Sequence, residues 1–243
     1  MDNALVFGVG AEQGVGAAAC RRFAAEGLRV FAVGRTAERI NHVVAGLTDA
    51  DHEAVAISAD CTVAEDVARV FDTIEKETGA PPRLTVYNAG NNFPAELPDD
   101  LTNEKFEADW RVCALGALIC GREVATRVVP AGGGTLVYTG ATASLRSRPP
   151  FISFAAAKAA ARAVAHGLAR QYGKDGLHVA HVILDGAVNG EQVNTRFPQA
   201  KDFLGDEGML AVDSIAGAMW NLHVQDRSAW TLELDLRPYK ENF

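Results

Sequence analysis

Four glycines within nine residues, Gly8-Val-Gly10-Ala-Glu-Gln-Gly14-Val-Gly16, form the first group in this chain whose types and spacing could do chemistry. A short apolar run, Ala4-Leu-Val-Phe7, precedes them, and Val15, Ala18, Ala19 and Phe23 follow at helical spacing. A strand that feeds a helix through glycines aims backbone N–H groups and the positive end of the helix dipole at one point. Diphosphate is the commonest occupant of such a point, and a Cβ there would block its approach or forbid positive φ. An ordinary strand-to-helix turn could use the same glycines. The N-terminal position between a strand and a helix favours the ligand site.

Arg35 and Thr36 are a second candidate, placed just after the apolar run Arg29-Val-Phe-Ala-Val-Gly34. A guanidinium there offers bidentate, charge-assisted bonds to a phosphate, where an acid would select ribose hydroxyls instead. A solvated arginine at the head of a helix is the plainer alternative. His178 and His181 are three apart in a strand, so they point to opposite sides and make no metal pair. The four cysteines, Cys20, Cys61, Cys113 and Cys120, contain no CxxC pair, so neither a zinc site nor a disulfide framework is expected. Cys113 and Cys120 share one helix face, which suits packing, although Cys113 is also a candidate thiol near a substrate.

A net charge of −8 argues against nucleic acid as the main partner. No apolar run approaches the ~20 residues a membrane helix needs, and the first strand leaves no room for a signal peptide. A reduced, cytoplasmic protein is therefore expected. At 243 residues and 48% hydrophobic, the chain fits one domain spanning 1–243.

Several elements must position these residues. Short strands are expected at Ala4–Phe7, Arg29–Gly34, Ala54–Ile57, Leu84–Tyr87, Thr135–Tyr138, His178–Leu184 and Trp230–Leu236. Between them lie helices. Thr36 is an N-cap for one that runs to Leu47. Thr62-Val-Ala-Glu65 reads as a capping box opening a helix with the stripe Val63, Val67, Val70, Phe71 and Ile74. A polar, proline-containing loop after Gly90 leads to a long helix from about Thr102 to Val129, whose stripe is Phe106, Trp110, Cys113, Ala117, Gly121, Val124 and Val128. An alanine-rich helix follows Pro149-Pro150 and spans Phe151–Tyr172, and an irregular segment covers 187–212. Strand–helix alternation means an α/β, Rossmann-type doubly wound sheet of about seven parallel strands with helices on both faces. Ligands in such a sheet bind beyond the carboxyl ends of its strands.

The chain resembles the short-chain dehydrogenase/reductase family over nearly its whole length. The resemblance rests on the spacing Gly10-x-x-x-Gly14-x-Gly16, on Asp60 after the third strand and on Asn88-Ala-Gly90 after the fourth. Lys158, and Asp185-Gly186-Ala-Val188 in place of a Pro-Gly-x-Val motif, follow in the right order. It implies a nicotinamide cofactor held by Gly10, Gln13, Gly14, Val15, Gly16, Arg35, Thr36, Asp60, Cys61, Asn88, Ala89, Gly90, Thr139, Lys158, Gly186 and Val188. A basic residue at Arg35 goes with NADP(H) over NAD(H) in that family.

The family's chemistry uses a tyrosine acid/base four residues before the lysine, a serine in the preceding loop and an asparagine in the long helix. Those positions fall on Phe154, Ala141 and Cys113. Lys158 is retained. Other groups could supply the proton, namely Thr139, Thr142, Ser153, Tyr87, Tyr138 or water on Lys158, with Ser144 preferred. Both tyrosines are expected to face the core. The stretches Thr139–Ser144, Phe154–Lys158, His178–Gly186 and Glu233–Asn242 are similar to a divergent bacterial branch, which implies an NAD(P)-dependent oxidoreductase and names no substrate.

The expected function is thus an NADP(H)-dependent oxidoreductase of a small molecule. The alternative is a catalytically silent NADP(H)-binding sensor or partner subunit. Phe197, Phe203 and Leu204 of the 187–212 segment suggest an apolar pocket, and the 102–129 and 151–172 helices suggest a homodimer or homotetramer.

Overall fold

The computed structural model describes residues 2–90 and 95–241. The first four residues of the loop expected after Gly90 lie outside them. In chain order the elements open with β1 (Asn3–Phe7), α1 (Val15–Ala25), β2 (Arg29–Gly34), α2 (Ala37–Thr48) and β3 (Ala54–Ser58). Next come α3 (Ala64–Thr78), β4 (Leu84–Tyr87), α4 (Asn103–Trp110), α5 (Gly116–Arg127), β5 (Gly134–Thr139), α6 (Ile152–Tyr172) and β6 (Leu177–Leu184). The chain ends with β7 (Val188–Asn189), α7 (Glu191–Arg196), α8 (Ala200–Leu204), β8 (Leu210–Ala211), α9 (Val212–His223) and β9 (Glu233–Leu236).

Seven parallel strands form one sheet in the order β3-β2-β1-β4-β5-β6-β9, and β7 pairs with β8 beside it. The inner strands are buried on both faces because helices cover both, which is why they read as unbroken apolar runs. On one face, Phe23 of α1, Ile40 and Val43 of α2 and Ile215 and Met219 of α9 pack against the sheet. On the other, Val67, Val70, Phe71 and Ile74 of α3 join Ala117 and Val124 of α5 and Ala161 and Ala165 of α6. None of the described helices is long and apolar enough to cross a membrane.

Local chemistry overrides the sequence pattern at several places. Thr62 does not cap α3. The Asp60 carboxylate takes both its N–H and its hydroxyl at 2.8 Å, so Val63 becomes the N-cap and stays 41% exposed, outside the apolar stripe. The long helix is interrupted by a π-turn at Arg111–Leu115, between α4 and α5. The extra residue rotates the preceding face, so Asp109 is buried there in place of Phe106 and Trp110, which are about two-fifths exposed. The last strand begins at Glu233, three residues later than expected. The 187–212 segment is structured, with α7, α8 and the β7–β8 pair.

Candidate active site

A cleft of about 940 Å³ opens where β1, β2, β4, β5 and β6 end, around the point at which strand order reverses between β1 and its two neighbours. The glycine turn forms its floor. Gly14 is the N-cap of α1, and no side chain bonds the helix's first N–H groups, so the amides of the first turn are left for an anion. Backbone approaches are close. A Cβ on Gly16 would lie 2.7 Å from the Gly8 carbonyl oxygen, and one on Gly8, at φ +83°, would lie 2.5 Å from Ala89 N. Asn88 Nδ2 donates to that same Gly8 oxygen at 3.1 Å, bracing the turn from the end of β4. Gly10 and Gln13 complete this wall, with open space in front of the Gly10 Cα.

At the β2 end, Arg35 and Thr36 line the cleft. Arg39, in the first turn of α2, lines it too. Asp60 and Cys61 close this end. The Asp60 carboxylate is held by Thr62, and the Cys61 sulfur sits 3.2 Å from the Tyr87 hydroxyl. Asn88, Ala89 and Gly90 continue the lining toward Lys158.

Lys158 is 5% exposed and lines the far end. Its ammonium donates to the Thr139 carbonyl at 2.7 Å and lies 5.6 Å from the centre of the Phe154 ring. Burial pulls its pKa down, opposed by the nearby Cys113. Thr139 Oγ1 is buried and has no hydrogen-bond partner among the described residues; Thr139 lines the cleft, as does Ala141.

The other candidate donors are engaged elsewhere. Ser144 turns its hydroxyl back onto the Ala141 carbonyl at 2.6 Å and does not line the cleft, because a short 3-10 turn at Thr142–Ser144 points it inward. Thr142 donates to Asp185 at 2.6 Å, and Ser153 donates to Asp109 at 2.6 Å in the seam between α4 and α6. The Tyr87 and Tyr138 hydroxyls donate to the carbonyls of Val112 and Ala117, and burial pushes both pKa values up. Cys113 is 1% exposed and absent from the lining.

Gly186 and Val188 line the remaining side. Beyond them, α7 contributes Glu191, Gln192, Val193, Thr195 and Arg196, and Glu191 N donates to the Gln13 carbonyl at 2.9 Å. Phe197, Phe203 and Leu204 are not in the lining, and Phe203 is 88% exposed. The apolar wall comes instead from Phe151 and Phe154. His178 stacks on Trp230 at 4.8 Å, while His181, on the opposite sheet face, bonds Glu233 at 3.1 Å.

The family description for short chain dehydrogenases matches residues 4–200. The chain belongs to the short-chain dehydrogenase family. It is thus an oxidoreductase by family, with the doubly wound sheet of that family. A short-chain dehydrogenase structure from Rhodopseudomonas palustris superposes with a TM-score of 0.81 at 32% identity, covering 98% of this chain and 99% of that one. An A-factor type gamma-butyrolactone 1'-reductase from Streptomyces virginiae is 30% identical over 198 residues, which are 79% of this chain and 75% of that protein. A gluconate 5-dehydrogenase from Burkholderia cenocepacia, solved with NADP and tartrate, shares the fold at a TM-score of 0.85 and 22% identity, covering 98% and 94% of the two chains.

In this short-chain dehydrogenase the sequence reading missed Arg39, Arg146, Arg148 and Phe151, all in the lining. The last three belong to the chain just before α6, where no periodicity signals which side chains face the cleft.

Proposed function

We propose that this short-chain dehydrogenase is an NADP(H)-dependent oxidoreductase of a small molecule, with its proton source at Thr139 and Lys158. The observation that carries the reading is one continuous cleft with Arg35 at one end and buried Lys158 at the other. The uncapped amides at Gly14–Gly16 fit a diphosphate, and the buried Thr139 hydroxyl, on a residue that lines the cleft, is unpartnered among the described residues.

In this reading Gly10, Gln13, Gly14, Val15 and Gly16 hold the diphosphate. Arg35, Thr36 and Arg39 take the 2′-phosphate, for which guanidinium geometry is suited. Asp60 and Cys61 flank the adenine. Asn88, Ala89, Gly90 and Lys158 face the nicotinamide ribose, with Gly186 and Val188 on the ring side. The bound nicotinamide supplies or accepts the hydride. Phe154 and Ala141, at the positions where the resemblance expects the tyrosine and serine, have no proton to transfer. Thr139 Oγ1 therefore replaces Ser144 as the donor, next to the Lys158 ammonium that bonds its own carbonyl. The protein is cytoplasmic in this reading. Phe106, Trp110 and Leu118, exposed on α4 and α5, support self-association through the 102–129 helix, with the 151–172 helix beside it.

The test is NADPH consumption across a panel of ketones, aldehydes and enones. Turnover of a panel member, lost in Lys158→Ala and reduced in Thr139→Ala, is expected. Tight NADPH binding with no compound consumed would instead establish the silent sensor or partner-subunit reading.

A further inference from the structure

The charge around the cleft runs opposite to that of the whole chain. Net charge is −8, yet the lining holds Arg35, Arg39, Arg146, Arg148, Arg196 and Lys158 against the acids Asp60 and Glu191. The arginines near β2 are accounted for by the proposed cofactor. Arg146 and Arg148 are not.

Arg146 is held in place. Its Nη2 donates to both oxygens of Asp185, at 3.1 and 2.9 Å, and Asp185 is 2% exposed. Asp185 also accepts from Thr142 at 2.6 Å and pairs with Arg237 at 3.3 Å. Those partners fix the guanidinium from behind. Among the described residues its Nε and Nη1 have no protein partner, and its side chain is 40% exposed. Arg148, two residues on, is exposed, and its guanidinium has no partner among the described residues. The same stretch of lining supplies Phe151 and Phe154.

Arg146, held on Asp185, is anchored away from the glycine turn. Asp185 follows β6, and the glycine turn follows β1, three strand spacings away across β4 and β5. At ~4.8 Å per spacing that is about 14 Å. Phe151 N donates to the Arg148 carbonyl at 2.8 Å, which seats Arg148 next to the aromatic part of the lining.

We propose that the substrate is an organic oxyanion: an anionic head, carboxylate or phosphate, on an apolar body. The head pairs with Arg146 and Arg148, and the body packs on Phe151 and Phe154. Asp185 pre-orients Arg146, which lowers the ordering cost of a forked, charge-assisted contact. This deepens the reading of the cleft as a cofactor-plus-substrate site and rests on it.

Calorimetric titration of the full chain, with and without saturating NADP+, tests the proposal using phenylacetate, phenyl phosphate and phenylacetamide as probes. At least one anion is expected to bind about tenfold or more tightly than the neutral amide, and the better anion tells carboxylate from phosphate. Arg148→Ala and Arg146→Gln should each remove most of that preference. The proposal is overturned if the amide binds as well as the anions, if no probe binds in either state, or if the preference survives both substitutions. Failure of NADP+ itself to bind is read in the same titrations and would sink the cofactor reading alone, since the probes are also tested without it.

Discussion

Lys158 Nζ lies 5.6 Å from the centre of the Phe154 ring, one helical turn earlier on α6. A phenol at that place would meet an ammonium close enough to favour its phenolate and to exchange a proton with it. Phe154→Tyr combined with Ala141→Ser is therefore expected to create or raise carbonyl reduction by on the order of 10²-fold, the usual contribution of a positioned general acid. Steady-state NADPH oxidation with a simple ketone measures it. An unchanged rate would show that the acid position lies elsewhere.

Arg35 lines the cleft beside Thr36 and makes no ion pair among the described residues. A charge-assisted contact to a 2′-phosphate contributes about 1.5–3 kcal/mol. Arg35→Glu should weaken NADPH binding by roughly that amount and favour NADH, as read by fluorescence titration of both cofactors. Equal affinities of the unmodified protein for the two would contradict the proposed preference.

Glu233 gathers Arg162 at 2.6 and 2.8 Å, His166 at 3.1 Å and His181 at 3.1 Å. Burial, with Lys158 and Arg162 nearby, pulls the His181 pKa down to about 4 against the opposing pull of Glu233. The unfolded chain takes up this proton near pH 6.5 and the folded one only near 4. Stability from this group is full above 6.5 and is lost as pH falls toward 4, by at most about 3 kcal/mol. The Glu233 carboxyl, held down to about 2 chiefly by Arg162, extends the loss below pH 4.5. Denaturant midpoints measured across that range should fall in both steps. His181→Asn should flatten the upper one, and an unaltered slope would rule this histidine out as its source.

Gly16→Ala would place a methyl 2.7 Å from the Gly8 oxygen, which Asn88 also holds. Backbone cannot yield as a flexible side chain can, so a loss of about 1–3 kcal/mol is expected. Thermal unfolding reports that loss, and NADPH affinity should fall with it because the turn is displaced. A fully stable variant with intact binding would show that the turn can open.

The strands were legible because burial on both faces leaves no polar residue to interrupt the apolar runs, as in Leu177–Leu184. The α3 stripe was legible from Val67 to Ile74 for a similar reason, and failed only at Val63, where Asp60 claims Thr62. Phe106 and Trp110 misled because a π-turn changes the helical period without any residue that signals it. The glycine turn could be found from spacing, and Lys158 from the resemblance to the family. Whether Ser144 or Thr139 presents a hydroxyl depends on one short turn after β5, and Arg146 joins the site only because Asp185 arrives from β6. Contacts between residues that far apart have no local signature.

β1 precedes the other strands in sequence, yet it lies in the middle of the sheet, between β2 and β4. Emerging from the ribosome, Asn3–Phe7 can pair on one side as soon as Arg29–Gly34 appears, but its other edge waits for Leu84–Tyr87. Until then an apolar strand has one open edge, the kind of surface that recruits other chains. Deleting Asn3–Phe7 would thus split the sheet at its centre, between Arg29–Gly34 and Leu84–Tyr87.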